Sequence, residues 1–431
     1  LRQVDGFRKS WADLIVASRP FDSVEALARK ADRFETVPAS LVDKLARAVG
    51  GIDPAELYGE PSWRRALVMA GPEHRVDDRL AAVDVVMSAD KSVSLLYATA
   101  DAATRSLIVS EFRESNRAAL GYLDDLAALG RRGQAGTGEV GTDGLLAVGF
   151  LHDEARPTAG CACGDPHLHE HVIVLNVVHG GDGAWSAAQL DRFAPAAKTA
   201  GYLQEADLRA RLSERLGVAW RPVVNGLSGV VGITDAQHRQ FSKRHNEVAA
   251  ELAEVGAAGL TAGNAAGRDT KQAKREQLPL ADRVALWQAE AATVGLTART
   301  LLDLLGRPAA ERDGADVVRA VLAALTAQAS SFGRPELLRA LAQHARHGAS
   351  VAALTARADA ILADPALVVA LADGQGALTT GDVRRGAGGR VFAYAVQQKW
   401  TTPAQLVLEQ RLVDAALGRV GERCARSSSS R

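Results

Sequence analysis

The sequence predicts an α+β protein whose strands lie in the first half and whose C-terminal part is mostly helical. Three observations predict this. First, AAVDVVMS (81–88), LLAVGFLH (145–152) and HEHVIVLNVV (169–178) are short, apolar and rich in β-branched residues, the pattern of buried or half-buried strands. Second, long stretches between them carry apolar residues at helical spacing. Third, from about Leu280 the chain is largely Ala/Leu/Arg helix, broken by strand-like pieces such as LVVALAD and RVFAYAV.

In chain order, Ser23–Phe34 and Ser40–Val49 each open at a serine N-cap and read as amphipathic helices. The first strand, 81–88, runs into Asp90, Lys91, Ser92 and Ser94, residues that either cap a helix or bind a phosphate at its N-terminus. A long helix fits Ala103–Leu129, with apolar Leu107, Phe112, Ala119, Leu120 and Leu123. Arg131–Gly144 is Gly-rich and reads as a turn before the second strand. Asp153–Leu168, with two prolines, two glycines and two cysteines, reads as a loop before the third. Gly180–Ser186 reads as a hairpin-like turn, and helices are expected at Phe193–Leu216 and Ala236–Glu254. Gly256–Glu276 is Gly/Ala-rich, then basic, as in a mobile loop. GRPAAERDG interrupts the helical pattern near 305–315, which sets expected domains at 1–305 and 306–420, with a disordered tail at 421–431.

Composition excludes several classes. At 431 residues and 47% hydrophobic, the chain can bury a core. No apolar run reaches eighteen residues, so no membrane insertion is expected. Three cysteines do not make a disulfide scaffold and fit a cytoplasmic protein. Basic and acidic residues balance at 51 each, so any nucleic-acid site must be a local surface. No lysine follows a glycine, which excludes a Walker-type phosphate loop. The chain opens at Leu1 rather than Met, and a missing natural start is expected.

The histidines carry the chemistry. His169 and His171 are two apart at the head of a strand, so both imidazoles project from one face. His152 closes the preceding strand; if the two strands pair antiparallel, it comes to lie beside them. Three converging imidazoles suit a divalent ion with open positions for water or substrate. A rival ligand set is Cys161, Cys163, His167 and His169, a structural zinc site. The blander alternative is a row of polar strand residues. Asp84, flanked by valines, reads as a buried carboxylate that either orients a ligand imidazole or is satisfied by backbone amides.

Four blocks now carry a resemblance: VDVVMSADKSVSLL, FLHDEAR, DPHLHEHVIVLN, and DGAWSAAQLDRF with AKTAGYLQEADLRARLSERLGVAW. In order and content they resemble conjugative relaxases of the TrwC/TraI type, the MobF group of HUH endonucleases. FSKRHNEV (241–248) resembles the family as well. The resemblance covers about residues 60–260. It implies an antiparallel sheet flanked by helices, with a three-histidine metal site in its palm. It implies His152, His169 and His171 as ligands of one divalent ion, with Mg, Mn, Zn and Ni not distinguished, and Asp84 as the carboxylate beside them. Its partner would be single-stranded DNA at an origin of transfer, with Arg156, Lys91, Lys243 and Arg244 as candidate backbone contacts. Relaxosome or coupling proteins would be further partners.

The reaction implied is transesterification: a tyrosine hydroxyl attacks the scissile phosphate, a 5′-phosphotyrosine forms and a 3′-hydroxyl leaves. The sequence departs from the family pattern in three ways. The loop after His152 is longer and contains GCACG. No helicase half is expected, in keeping with the missing Gly-Lys pair. The family's nucleophilic tyrosines lie near its N-terminus, whereas this chain has Tyr58, Tyr97, Tyr122, Tyr202 and Tyr394. Tyr58 alone precedes Asp84, in a setting that does not match, so no covalent adduct is expected. The reading is a relaxase domain followed by a helical segment. An inactive origin-binding remnant and a zinc-stabilised structural protein are the alternatives.

Overall fold

A computed structural model describes residues 82–132, 138–158, 161–189, 193–255, 277–306, 316–371 and 398–428. The expected helices at 23–34 and 40–49, Tyr58, the loop 256–276 and RVFAYAV lie outside the described residues. The chain divides into two compact units. Among the described residues, one takes Ala82–Ser88, Asp124–Glu154 and His167–Phe193, and the other takes the rest.

The first unit holds β1 (Ala82–Ser88), β2 (Leu129–Arg132), β3 (Gly138–Gly141), β4 (Ala147–Glu154), β5 (Pro166–Leu175), β6 (Val178–His179) and β7 (Trp185–Ser186). Its main sheet has the order β1-β5-β4. β5 is central because its alternation is the cleanest in the chain. Leu168, Glu170, Val172 and Val174 are buried, while His167, His169, His171 and Ile173 are half-exposed. A one-residue slip would turn the aliphatic set outward, so this pattern fixes the register. β1 runs antiparallel to it, from Ala82 opposite Leu175 to Ser88 opposite His169. Glu170 lies on the buried face against Gly149, where any Cβ would collide with its carboxylate.

The Gly-rich stretch at 131–144 is more than a turn: β2 and β3 pair antiparallel within it. Only Val140 in those strands is β-branched, so the sequence carried little strand signal. The pairing is held from outside. Arg132 donates to both Asp182 oxygens at 2.7 and 2.6 Å, and His179 meets Asp143 at 2.7 Å. β6 and β7 form the hairpin expected at 180–186.

The second unit is helical: α1 (Lys91–Thr99), α2 (Ala102–Ala127, whose last turn belongs to the first unit), α3 (Phe193–Leu216), α4 (Asp235–Gln240), α5 (Lys243–Val255), α6 (Leu280–Thr293), α7 (Ala298–Leu302), α8 (Asp316–Gln328), α9 (Arg334–His344), α10 (Val351–Ala363) and α11 (Pro403–Ser428). Two short strands, β8 (Val369–Ala370) and β9 (Trp400–Thr401), pair between α10 and α11. The single helix expected at 236–254 is two, broken at Phe241–Ser242. Buried Phe241 ends α4, and α5 restarts at Lys243.

Helices α9 and α10 are docked onto α3 rather than strung behind it. Ala349 N–H donates to Ala206 O at 3.1 Å, and Val351 N–H to Asp207 Oδ1 at 3.2 Å. Gly348, at φ 83°, meets the α3 backbone at Ala206 and Ala210 so closely that no side chain fits there. Fully buried Arg209 donates to Ala342 O at 3.1 Å, placing its charge where the last carbonyls of α9 need one. No described helix is long and apolar enough to cross a membrane.

Candidate functional site

Strand β5 supplies two of the three histidines, on its open face. β4 supplies the third. Leu175 N–H donates to Leu146 O and Ala155 N–H to Asp165 O, each at 2.8 Å. These two bonds bracket an antiparallel pairing that sets His152 level with His169 to within a residue. The rings converge: His152 and His169 have centroids 5.2 Å apart, His152 and His171 5.4 Å, and His169 and His171 5.4 Å. His167 stacks on His169 at 4.5 Å.

Two ring nitrogens are tied down. His171 Nδ1 meets both Asp84 carboxylate oxygens, at 3.0 and 2.9 Å. His169 Nδ1 meets His167 O at 2.9 Å. A carbonyl oxygen and a carboxylate can only accept, so each Nδ1 carries a proton, and in the neutral ring each Nε2 keeps its lone pair. Register explains the Asp84 contact. Asp84 is opposite Ile173 and Val86 opposite His171, so Asp84 is the diagonal neighbour of His171 on the same face. The expectation of a buried Asp84 is corrected: its side chain is 47% exposed, because its strand face is the open one. Burial holds the proton affinity of His169 below that of an ordinary histidine. The neighbouring His152 and His171 rings add to this, and the bond to His167 O opposes it. Among the described residues no group of three or more His, Cys, Asp or Glu side chains stands where it could hold a metal ion as the side chains are placed.

The other expected site residues have partners of their own. Lys91 is half-buried and donates to Pro166 O at 2.8 Å; desolvation lowers its proton affinity. Lys243 Nζ sits between Asp165 and Glu290, 2.6 Å from each. Arg244 pairs with Glu247 at 3.1 Å, and Arg156 is half-buried in the loop after β4. Asp90 accepts from Ser92 N–H at 2.8 Å and so occupies the N-terminus of α1 itself, the capping role rather than the phosphate role. Cys161 and Cys163 are half-buried and in no disulfide, and Thr158 Oγ1 donates to Cys161 Sγ at 3.2 Å. Tyr97 and Tyr122 are buried, and the Tyr202 ring lies against Gly226.

This arrangement falls within a known family. A family model described as TrwC relaxase matches residues 10–294 of the 431. The chain belongs to the TrwC relaxase family. It is similar to solved structures of the conjugative relaxase TrwC. A copper-bound complex with oriT DNA is 26% identical, covering 54% of this chain and 81% of that one, with a TM-score of 0.45. A complex with mutant oriT DNA is 26% identical, covering 55% and 86%, with a TM-score of 0.46. A metal-bound complex is also 26% identical, covering 54% and 83%, with a TM-score of 0.45. No curated protein matches the chain. The TrwC relaxase match takes in all four sequence blocks, the three histidines and Asp84. Sequence reasoning did not find what Asp165 and Trp287 do, since their partners lie 78 and 123 residues away along the chain.

Proposed function

We propose that this chain is a metal-dependent relaxase domain that binds single-stranded origin-of-transfer DNA. The observation that carries the reading is the triangle of His152, His169 and His171 rings at 5.2–5.4 Å, with Asp84 on His171. The donor set fits an ion. Imidazoles sharing one ion at a metal–nitrogen distance of about 2.1 Å have ring centres roughly 5 Å apart. His169 and His171 each keep an Nε2 lone pair, and burial keeps His169 neutral. Neutral ligands leave an ion its full charge, and the chemistry it supplies when bound is polarisation of a phosphate oxygen. Asp84 orients the His171 ring. In the TrwC structures named above the partner is oriT DNA, and some of them are described as metal-bound.

Arg156 and Arg244 stay candidates for DNA backbone contacts, Arg244 beside its pairing with Glu247, while Lys91 and Lys243 hold protein acceptors. A second reading, binding without nicking, is favoured by the tyrosines. Tyr97 and Tyr122 are buried, and burial raises the Tyr122 phenol further from ionisation. The test combines metal content by mass spectrometry with DNA affinity against salt. His169→Ala should lose most bound metal. Binding to an origin oligonucleotide should weaken with salt by about 0.7 in log–log slope for each phosphate contacted. Unchanged metal content, or a flat salt response, overturns the reading.

A further inference from the structure

The DPHLHEH and FSKRHNEV blocks are joined by one buried anchor. Gly164, Asp165 and Pro166 immediately precede His167, and β5 begins at Pro166. Each of the three is held. Trp287 Nε1–H donates to Gly164 O at 2.8 Å. Lys243 donates twice to the Asp165 carboxylate, by its backbone N–H at 2.7 Å and by Nζ at 2.6 Å. Lys91 Nζ donates to Pro166 O at 2.8 Å. Trp287 and Asp165 are both buried. Gly164 packs against Ala155 O with no room for a Cβ, and Ala155 N–H donates to Asp165 O, so the loop from 155 to 165 is closed at its neck. Asp165 also places a carboxylate at the N-terminus of α5, where the helix dipole favours it. Burial works against the Lys243 charge, but its bonds to Asp165 and Glu290 outweigh that and raise its proton affinity.

We propose that Asp165, Lys243 and Trp287 are positioning residues that fix the start of β5 and so preorganise the strand bearing His169 and His171 for its metal. The inference rests on the metal reading above. The geometry argues for it because three consecutive residues, three to five places ahead of His169, are pinned by donors from three helices, buried Trp287 and half-buried Lys91 and Lys243. A ligand strand held at its start loses less freedom when it closes on an ion. Lys243 thereby acts through Asp165, and an ammonium occupied by two carboxylates is poorly placed to take a phosphate.

The test uses the full chain and Mn2+ alone. Trp287→Phe removes the indole donor and keeps a ring; Lys243→Met removes the charge and keeps the length. Each should weaken Mn2+ binding by about tenfold or more, the range found when groups supporting metal ligands are removed, and Lys243→Arg should recover part of the loss. Val321→Ala, in the core of α8, serves as the destabilised control and should leave Mn2+ affinity unchanged. The salt slope of single-stranded DNA binding should be the same in Lys243→Met as in the parent. A slope lower by about 0.7 would instead make Lys243 a phosphate contact, and Mn2+ affinity equal to the parent's in both variants would overturn the anchor. If the parent itself binds no Mn2+, the metal reading fails. The anchor is then judged by amide hydrogen exchange over His167–Leu175, which should accelerate in Trp287→Phe and Lys243→Met beyond the Val321→Ala control. Equal exchange in all three overturns it.

Discussion

Asp84 receives the Nδ1 proton of His171 through both carboxylate oxygens, at 3.0 and 2.9 Å, across a β1–β5 pairing that puts the two residues on one diagonal of the open face. The contact places the proton on Nδ1 and holds the ring in orientation. Because the carboxylate is 47% exposed, its electrostatic help is screened and its orienting role dominates. Asp84→Ala should therefore weaken Mn2+ binding at the lower end of the usual range, about tenfold, with little change in the denaturation midpoint. Calorimetric titration against the parent protein checks both. A metal affinity that Asp84→Ala leaves untouched would remove Asp84 from the site.

Gly164 should tolerate no side chain. A Cβ there would meet Ala155 O, which is backbone and cannot rotate away. Overpacking of this kind costs about 1–3 kcal/mol, so Gly164→Ala should lower the urea midpoint clearly. Gly121→Ala, at a position with open space around it, should not. Equal midpoints for the two variants would show that the loop neck is not tight.

The pH dependence of stability should carry the mark of Glu205. This carboxyl is wholly buried on α3, and burial pushes it up to about 8, against the pull of the Arg209 guanidinium. Between its unfolded value near 4.5 and its folded value near 8, the native state holds a proton that the unfolded state releases. Stability from this group is therefore complete below about pH 4.5 and declines as pH rises toward 8. Glu205→Gln keeps the shape and abolishes the titration. Urea unfolding at pH 5 and pH 8 should show the parent losing more stability than the variant across that span. A parent curve parallel to that of Glu205→Gln would refute the assignment.

The segment after residue 305 should be part of the fold's stability rather than an appendage. Buried Arg209 donates to Gly226 O and Ala342 O, at 3.0 and 3.1 Å, and Gln343 accepts from Gly226 N–H at 2.8 Å. Arg346 Nε donates to Trp220 O at 3.0 Å. Ending the chain after Gly306 removes α9 and α10 and strips the Arg209 charge of its carbonyl at Ala342. A hydrogen bond to a charged group contributes about 1.5–3 kcal/mol. The shortened protein should unfold at markedly lower urea than the full chain. An identical midpoint would favour an independent C-terminal segment.

How much of this was legible in the sequence follows from where each signal resides. β5 was readable because Leu168, Val172 and Val174 alternate with His167, His169 and His171, a local period-two pattern that burial then selects. Its start was read three residues late, at His169 rather than Pro166, because Pro is a poor strand former and only its contact with Lys91 shows its place. The histidine triangle needed one assumption, the antiparallel pairing of β4 with β5. The β2–β3 hairpin was not readable, since glycines carry no side-chain pattern and its support comes from Asp182. The anchor at Asp165 was hidden for the same reason. Its partners, Lys243 and Glu290, are distant in sequence, and a lysine in a basic block looks like a DNA contact until its acceptors are seen.

The nucleophile gives the last prediction. In-line attack on a phosphodiester needs a hydroxyl that can reach the phosphorus and lose its proton there. Tyr97 and Tyr122 are buried, and burial holds the Tyr122 phenol in its protonated form. Tyr202 is held against the backbone of Gly226, with Arg209 and Gln343 fixing that turn beneath it. Tyr97 and Tyr122 offer no approach to a phosphate without unpacking the helical unit, and the Tyr202 ring is packed against a fixed turn. The chain as it stands should therefore bind an origin oligonucleotide and Mn2+ yet form no covalent 5′-adduct. Incubation with labelled oligonucleotide followed by denaturing electrophoresis reads this directly, as the presence or absence of a band shifted by the oligonucleotide's mass. A shifted band would mean that a tyrosine outside these three attacks. Its loss in Tyr58→Phe, with DNA affinity unchanged, would assign the attack to Tyr58.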